Sequence, residues 1–199
     1  KDITVQTSLL EERKLAGHHQ LFGEFLHAMQ AALDPRSFFI AKQLEQQQRH
    51  GRYHDAAYNL EPNLKESPGG LRDLQNILWV SRAAGLGKSW SELAKGGFIT
   101  QKEARLAQRH QTILQNLRIR LHHLAGRRED RLLFDYQTSL AEEFGIIGKP
   151  PRRASELLMQ RYYRAARAVT QINTILLLTL RARIFPDTDA VPVIINERF

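Results

Sequence analysis

Between Asn59 and Asp73 the chain reads NLEPNLKESPGGLRD, the stretch whose residue types and spacing carry the most chemistry. Gly69 and Gly70 stand immediately before a run with helical apolar spacing. A diglycine at a helix N-terminus exposes backbone amides and lets a ligand come close to the main chain. Lys65 supplies a mobile point charge, and Arg72 a planar fork suited to phosphate or carboxylate. Asp73, in the first helical turn, favours the helix dipole and is placed to orient Arg72. These are the parts of an anion site. They are equally the parts of a well-made helix start, and residue chemistry alone leaves both readings open.

Other candidate motifs carry less. GLGKS, residues 85–89, lacks the glycine that a phosphate-binding loop needs five residues before its Gly-Lys pair, where Arg82 stands instead, and no strand precedes it. The adjacent histidines His18-His19 and His122-His123 point about 100° apart on a helix and do not chelate one ion together. His50 and His54, with Asp55 beside them, have a metal-compatible spacing, but Gly51 is expected to end the helix between them. No metal ligands are therefore assigned. Arg161, Arg164 and Arg167 lie off the apolar stripe of the last helix, where snorkelling and surface ion pairs account for them. Arg120 sits beside an apolar stripe, where an arginine wants an acidic or phosphate partner.

The elements that must position these residues are helical nearly throughout. Ser8 and Glu11 have the spacing of a capping box for a short helix ended by Gly17, and a second helix spans about 20–32 with Leu21, Phe25 and Met29 on one face. Asp34-Pro35 is a cap and first-turn proline for a helix to about His50, with Phe39 and Leu44 inward and a glutamine-rich outer face. Residues 53–68 show neither helical nor strand period and form a long loop, a length that is usually functional or disordered. Helices follow from Gly69 or Gly70 to Ala84, after Ser89, and from Thr100 to about Ala125 with Leu106, Ile113, Leu117, Leu121 and Leu124 on one face. A short helix lies within LLFDYQTSLAEEFG. The last runs from about Ser155 to Arg183, with Leu158, Tyr162, Val169, Ile172 and Leu176 as its stripe. The expected class is an all-α helical bundle, with a short extended segment after Pro186.

Composition excludes several classes. The longest apolar run, ILLLTL, is far too short to cross a bilayer, and the start shows no signal-peptide core. With no cysteine there are no disulfides or thiolate metal sites, which fits the cytoplasm. The chain carries a formal net charge of +8, concentrated in two stretches. Eight Lys/Arg face three acids across 101–133, and eight face one across 149–183. Such faces attract phosphate-bearing partners. Nucleic acid is nonetheless disfavoured, since neither a helix-turn-helix nor an aromatic platform is visible.

At the opening motif the sequence resembles a known family. YNLEPNLKESPGGLRDLQNILWV resembles the signature of the bifunctional uridylyltransferase/uridylyl-removing enzymes of the PII signalling protein. The likeness extends to DITVQTSLLEERKLAG, QQQRHGRYHDAAYNLEPNLK, RIRLHHLAGRREDRLLFDYQ and the closing VPVIINERF, in the expected order. A looser version resembles glutamine synthetase adenylyltransferase. The resemblance implies a longer bacterial enzyme with a nucleotidyltransferase domain, a helical region, an HD phosphohydrolase domain and paired ACT domains. Such an enzyme transfers UMP from UTP to PII with Mg²⁺ or Mn²⁺ and removes it through the HD domain. This chain looks like the helical region: 1–33 as trailing helices of the nucleotidyltransferase domain, 34–185 as the helical domain, and 186–199 as a linker. The family's Gly-Gly-Tyr-Gly-Arg stretch, its Asp-x-Asp metal carboxylates and the HD His-Asp pair are absent from these residues. No catalytic or metal residue is therefore expected here, and the region alone is expected to be inactive. What the resemblance implies for the site is that Lys65, Gly69, Gly70, Arg72 and Asp73 line UTP, with Asn59 and Glu61 as supporting or base-facing groups; Arg120, from its place beside the apolar stripe, is a further candidate phosphate or partner contact. The alternative is a PII-docking or inter-domain regulatory module with no direct nucleotide contact.

Overall fold

A computed structural model describes residues 2–53 and 59–186. Eight helices and no strand occur among these residues: α1 (Ile3–Leu9), α2 (His19–Ala32), α3 (Pro35–Arg52), α4 (Leu71–Ala83), α5 (Trp90–Lys95), α6 (Gln101–Ala125), α7 (Phe134–Glu143) and α8 (Ala154–Ile184). The all-α expectation is met. His54 and Asp55, and all but the first residue of the expected extended tail, lie outside the described residues.

Local chemistry sets most boundaries. The Asp34 side chain accepts from the Arg36 and Ser37 amides with Pro35 at the first position, a cap worth about 1 kcal/mol. Thr100 and Glu103 form a reciprocal capping box on α6, which Gly126 ends in the left-handed conformation. The first helix lies before the one its spacing predicts: α1 ends at Leu9, and residues 10–17 are not helical. Asp2 caps it by accepting from the Thr4 and Val5 amides, and Ser8 Oγ donates back to the Thr4 carbonyl within the helix. Glu11, expected to complete a capping box, instead accepts from the indole nitrogen of Trp79 at 2.7 Å. A tertiary hydrogen bond has displaced the local cap.

The core forms around α4, which packs against α3, α6 and α8, with α7 laid along α6 and α8. Leu74, Ile77 and Val80 of α4 meet Leu114, Leu117 and Leu121 of α6 and Leu158, Tyr162 and Val169 of α8 in one buried cluster. Two expected inward positions are corrected: Leu44 is 53% exposed and Leu106 faces solvent. The inner face of α3 begins with Phe38 and Phe39 but continues through Lys42, Gln46 and Arg49, all buried. The expected outer glutamine face thus contains an inward one, because that end of α3 covers a buried carboxylate on α4. Neither α1 nor α2 contains a buried residue, and Leu21 of α2 is largely exposed.

Candidate functional site

The loop from Asn59 to Gly70 is held at almost every residue. The Asn63 side chain accepts from the amides of Lys65 (3.0 Å) and Glu66 (2.8 Å), an Asx turn closed by Ser67 Oγ accepting from the Asn63 amide. Leu64, fully buried, anchors it. The Leu64 amide donates to the Asp130 carbonyl and the Leu132 amide to the Pro62 carbonyl, which stitches the loop to the segment before α7. Asp130 is itself gripped by Arg118 at 2.6 Å and His122 at 2.9 Å. Burial alone would raise its pKa, but these two partners hold it below the ordinary value.

The diglycine turn departs from the open anion cradle expected of it. Both glycines are buried. The Gly69 amide donates to Asp73 Oδ2, Gly70 to the Ser67 carbonyl, Leu71 to the Leu64 carbonyl, Arg72 to the Lys65 carbonyl and Asp73 to the Gly70 carbonyl. The amides that would have bound an anion are thus already taken inside the chain. What approaches the turn is α8. Gly69 has φ +77°, and a Cβ there would lie 2.3 Å from the Ala166 carbonyl oxygen. A Cβ on Gly70 would lie 2.8 Å from the carbonyl oxygens of Lys65 and Ser67.

Asp73 is only 1% exposed. It accepts from Arg49 Nη2 at 2.5 Å and Gln46 Nε2 at 3.4 Å, and lies 2.9 Å from His50 Nε2. It therefore organises α3 against the turn and does not orient Arg72, as its sequence position had suggested. Arg72 instead reaches Glu66 at 3.2 Å and Gln75 at 3.1 Å, with its guanidinium over the Trp79 ring. Lys42 sits over the same ring at 4.6 Å and donates to Glu45. Burial, helped by the nearby charges of Arg72 and Arg49, pushes the Lys42 ammonium below its ordinary pKa even though Glu45 works the other way.

The result is a cluster in which the cations Lys42, Arg49, Lys65 and Arg72 outnumber the carboxylates Glu45, Glu66 and Asp73. Glu66 is its hinge: Arg72 at 3.2 Å, Lys65 at 3.4 Å and Arg49 at 3.8 Å all share this one carboxylate. Glu66 is 28% exposed, so a stronger anion from solvent can compete with it for these cations. A divalent cation does not fit here, because each carboxylate is already matched to a guanidinium or ammonium. Lys42, Arg49 and Glu66 were missed in the sequence, and His50 was weighed there only as a metal ligand, whereas it lies against Asp73. The stripe Lys42, Gln46, Arg49, continuing the period set by Phe38 and Phe39, was the signal available.

The remaining expected site residues lie elsewhere. Asn59 Oδ1 accepts from the Glu61 amide, while the Glu61 carboxylate accepts from the Phe134 amide at 3.0 Å and pairs with Arg131 at 3.5 Å. Glu61 braces the loop against the start of α7, and Asn59 closes a turn within it. Arg120 makes no ion pair among the described residues: it donates to the Glu143 carbonyl at the end of α7 and stacks over Phe144 at 4.1 Å.

The GlnD PII-uridylyltransferase family model matches residues 37–177. The chain belongs to that family. Over its whole length it is 74% identical to the bifunctional uridylyltransferase/uridylyl-removing enzyme of Nitrosospira multiformis, spanning 22% of that protein. It is 56% and 57% identical to the enzymes of that name from Cupriavidus pinatubonensis and Bordetella avium, spanning 23% of each. No solved structure matches. The span matched by the PII-uridylyltransferase family model begins at the buried phenylalanines of α3 and ends within α8, and so takes in the whole cation cluster and its supports. No helix among the described residues is long and apolar enough to cross a membrane.

Proposed function

We propose that this chain is the helical region of an enzyme that transfers UMP from UTP to the PII signalling protein, and that it supplies phosphate contacts to the nucleotide. The observation that carries this reading is the Glu66 carboxylate shared by three cations. It is an internal counterion holding Lys65 and Arg72, with the buried Arg49 behind them, until a triphosphate takes over the first two. Lys65 and Arg72 are the contacting groups. Gly69, Gly70 and Asp73 form the buried frame that fixes them, and Asn59 and Glu61 brace the loop from its other end.

Nucleotidyl transfer depends on holding the triphosphate in line and neutralising its charge, and pre-placed cations on a rigid turn do both. Mg²⁺ or Mn²⁺ would supply Lewis-acid chemistry from carboxylates elsewhere in the longer polypeptide, because the donor set here repels a cation. Removal of UMP through an HD domain and glutamine sensing through ACT domains belong to that longer polypeptide too, and the cytoplasm is the compartment that holds UTP and PII.

The test is Arg72→Ala in the longer enzyme. UMP transfer to PII falls at least tenfold while the helical region keeps its hydrogen-exchange protection. Transfer within twofold of wild type refutes the phosphate assignment.

A further inference from the structure

A groove of about 620 Å³ runs between α7, α8 and the start of the signature loop. Its floor is apolar: Met159 lies in it, and Leu60 and Phe134 stand up as knobs, 64% and 56% exposed. These two exposed apolar side chains line one groove and give it an apolar anchor. The rim is basic. Arg153, Arg164 and Arg167 line it against the single carboxylate of Glu156, and none of the three makes an ion pair among the described residues. Glu156 is already engaged, accepting from the Arg153 amide at 3.2 Å.

The walls are set before anything binds. Gln137, buried on α7, donates to the carbonyls of Leu60 at 2.9 Å and Leu132 at 3.2 Å. From the opposite wall, the Tyr163 hydroxyl donates to the Asn59 carbonyl at 3.2 Å. Leu60 is therefore held up by its backbone from both sides, with its side chain left free.

We infer that this groove docks an acidic, extended segment of the protein that receives UMP, with an apolar side chain of that segment seated between Leu60 and Phe134. The spread of charge selects this occupant. From Arg153 to Arg167 is about 20 Å along α8 at ~1.5 Å per residue. That length matches about six residues of extended chain and is far more than one phosphate group needs. A rim of one sign over an apolar floor gives the acidic segment both steering and an anchor. The groove also meets the signature loop at Asn59 and Leu60, while Lys65 and Arg72 stand at that loop's other end, so a protein docked here lies beside the nucleotide contacts.

This inference rests on the reading that the longer enzyme modifies PII, and its test separates the two. In the full-length enzyme, the double variant Arg164→Glu, Arg167→Glu raises KM for PII at least tenfold, leaves KM for UTP within twofold, and flattens the salt dependence of KM for PII. Leu60→Ser raises KM for PII about threefold through the anchor alone, and circular dichroism confirms that each variant is folded. An unchanged KM for PII in both variants overturns the inference. So does an equal rise in KM for UTP, which would make the rim a nucleotide contact. Direct binding of fluorescently labelled PII to wild type and the double variant decides the groove even if Arg72→Ala proves the phosphate assignment wrong: weakened binding supports it, and equal binding overturns it.

Discussion

Replacing Asp73 by Asn removes one negative charge from the most enclosed ionic group of the signature and changes almost nothing in volume. The carboxylate is 1% exposed and meets Arg49 Nη2 at 2.5 Å, and Arg49 is itself buried. Breaking a buried pair by removing one partner costs about 3–5 kcal/mol, mostly because the other charge is left uncompensated. Two features reduce that here. Asn can still accept from the Gly69 amide, and Glu66 stands 3.8 Å from Arg49 Nε. We therefore take the low end, about 3 kcal/mol. At ~1.4 kcal/mol per decade, that is roughly a hundredfold in the opening equilibrium of α3 against α4. Amide hydrogen exchange of the peptides covering α3 and α4, in the longer polypeptide, reads this directly. Protection there falls about a hundredfold in Asp73→Asn, while peptides from α5 and the first half of α6 are little changed. Protection within threefold of wild type refutes the placement of Asp73 as the buried clamp on α3 and returns it to the role of a solvent-facing partner for Arg72.

Gly69→Ala forces a left-handed residue and a Cβ against the Ala166 carbonyl, and costs about 2–4 kcal/mol. The check is urea unfolding followed by tryptophan fluorescence, since Trp79 is buried on the helix that the turn opens. Glu66→Gln frees three cations from their shared counterion, so KM for UTP falls severalfold in steady-state transfer assays; an unchanged or higher KM refutes the counterion role. Asp130 has a folded-state pKa below the ordinary 3.8, so folding favours its ionised form. Its contribution is complete above 3.8 and is lost as pH falls through the depressed value. Protection of residues 62–66 should therefore drop below that pH in wild type, and Asp130→Asn should show the reduced protection already at neutral pH.

Much of the architecture was legible because local signals and tertiary packing agree. Asp34-Pro35, Thr100 with Glu103, and Gly126 mark helix ends that the fold uses as written. The reading failed where a long-range partner outbid a local one. Glu11 had the right spacing for a cap but bonds to Trp79, on a helix 68 positions away in sequence. Leu44 belonged to an apolar period, yet the inner face of α3 turns polar after Phe39 to meet Asp73, and no count of apolar residues on α3 alone reveals a carboxylate on α4. The diglycine was correctly located, but residue chemistry left its purpose open between an anion site and a helix start. Glycine permits close approach without saying what approaches, and here it is the backbone of α8.

That substitution of a helix for a ligand changes how the signature works. A cradle of open amides would bind phosphate by itself, and its side chains could vary. A turn whose amides are all consumed cannot, so the phosphate binding proposed here rests on side chains, and their reach depends on how firmly the turn is held. The turn is clamped from three directions: by α8 at Gly69, by α3 through Asp73, and by the 130–134 segment through Leu64 and Pro62. The same loop forms one wall of the groove where Tyr163 and Gln137 grip Asn59 and Leu60. A short segment with almost no free hydrogen-bonding groups therefore joins the two ends, and we predict that loosening it disturbs both. Loosening the middle, as in Asn63→Ala, removes the acceptor for the Lys65 and Glu66 amides while leaving every cation side chain and every groove residue unsubstituted. In steady-state assays this variant should raise KM for UTP and KM for PII together. A rise in only one would show that the two ends work independently.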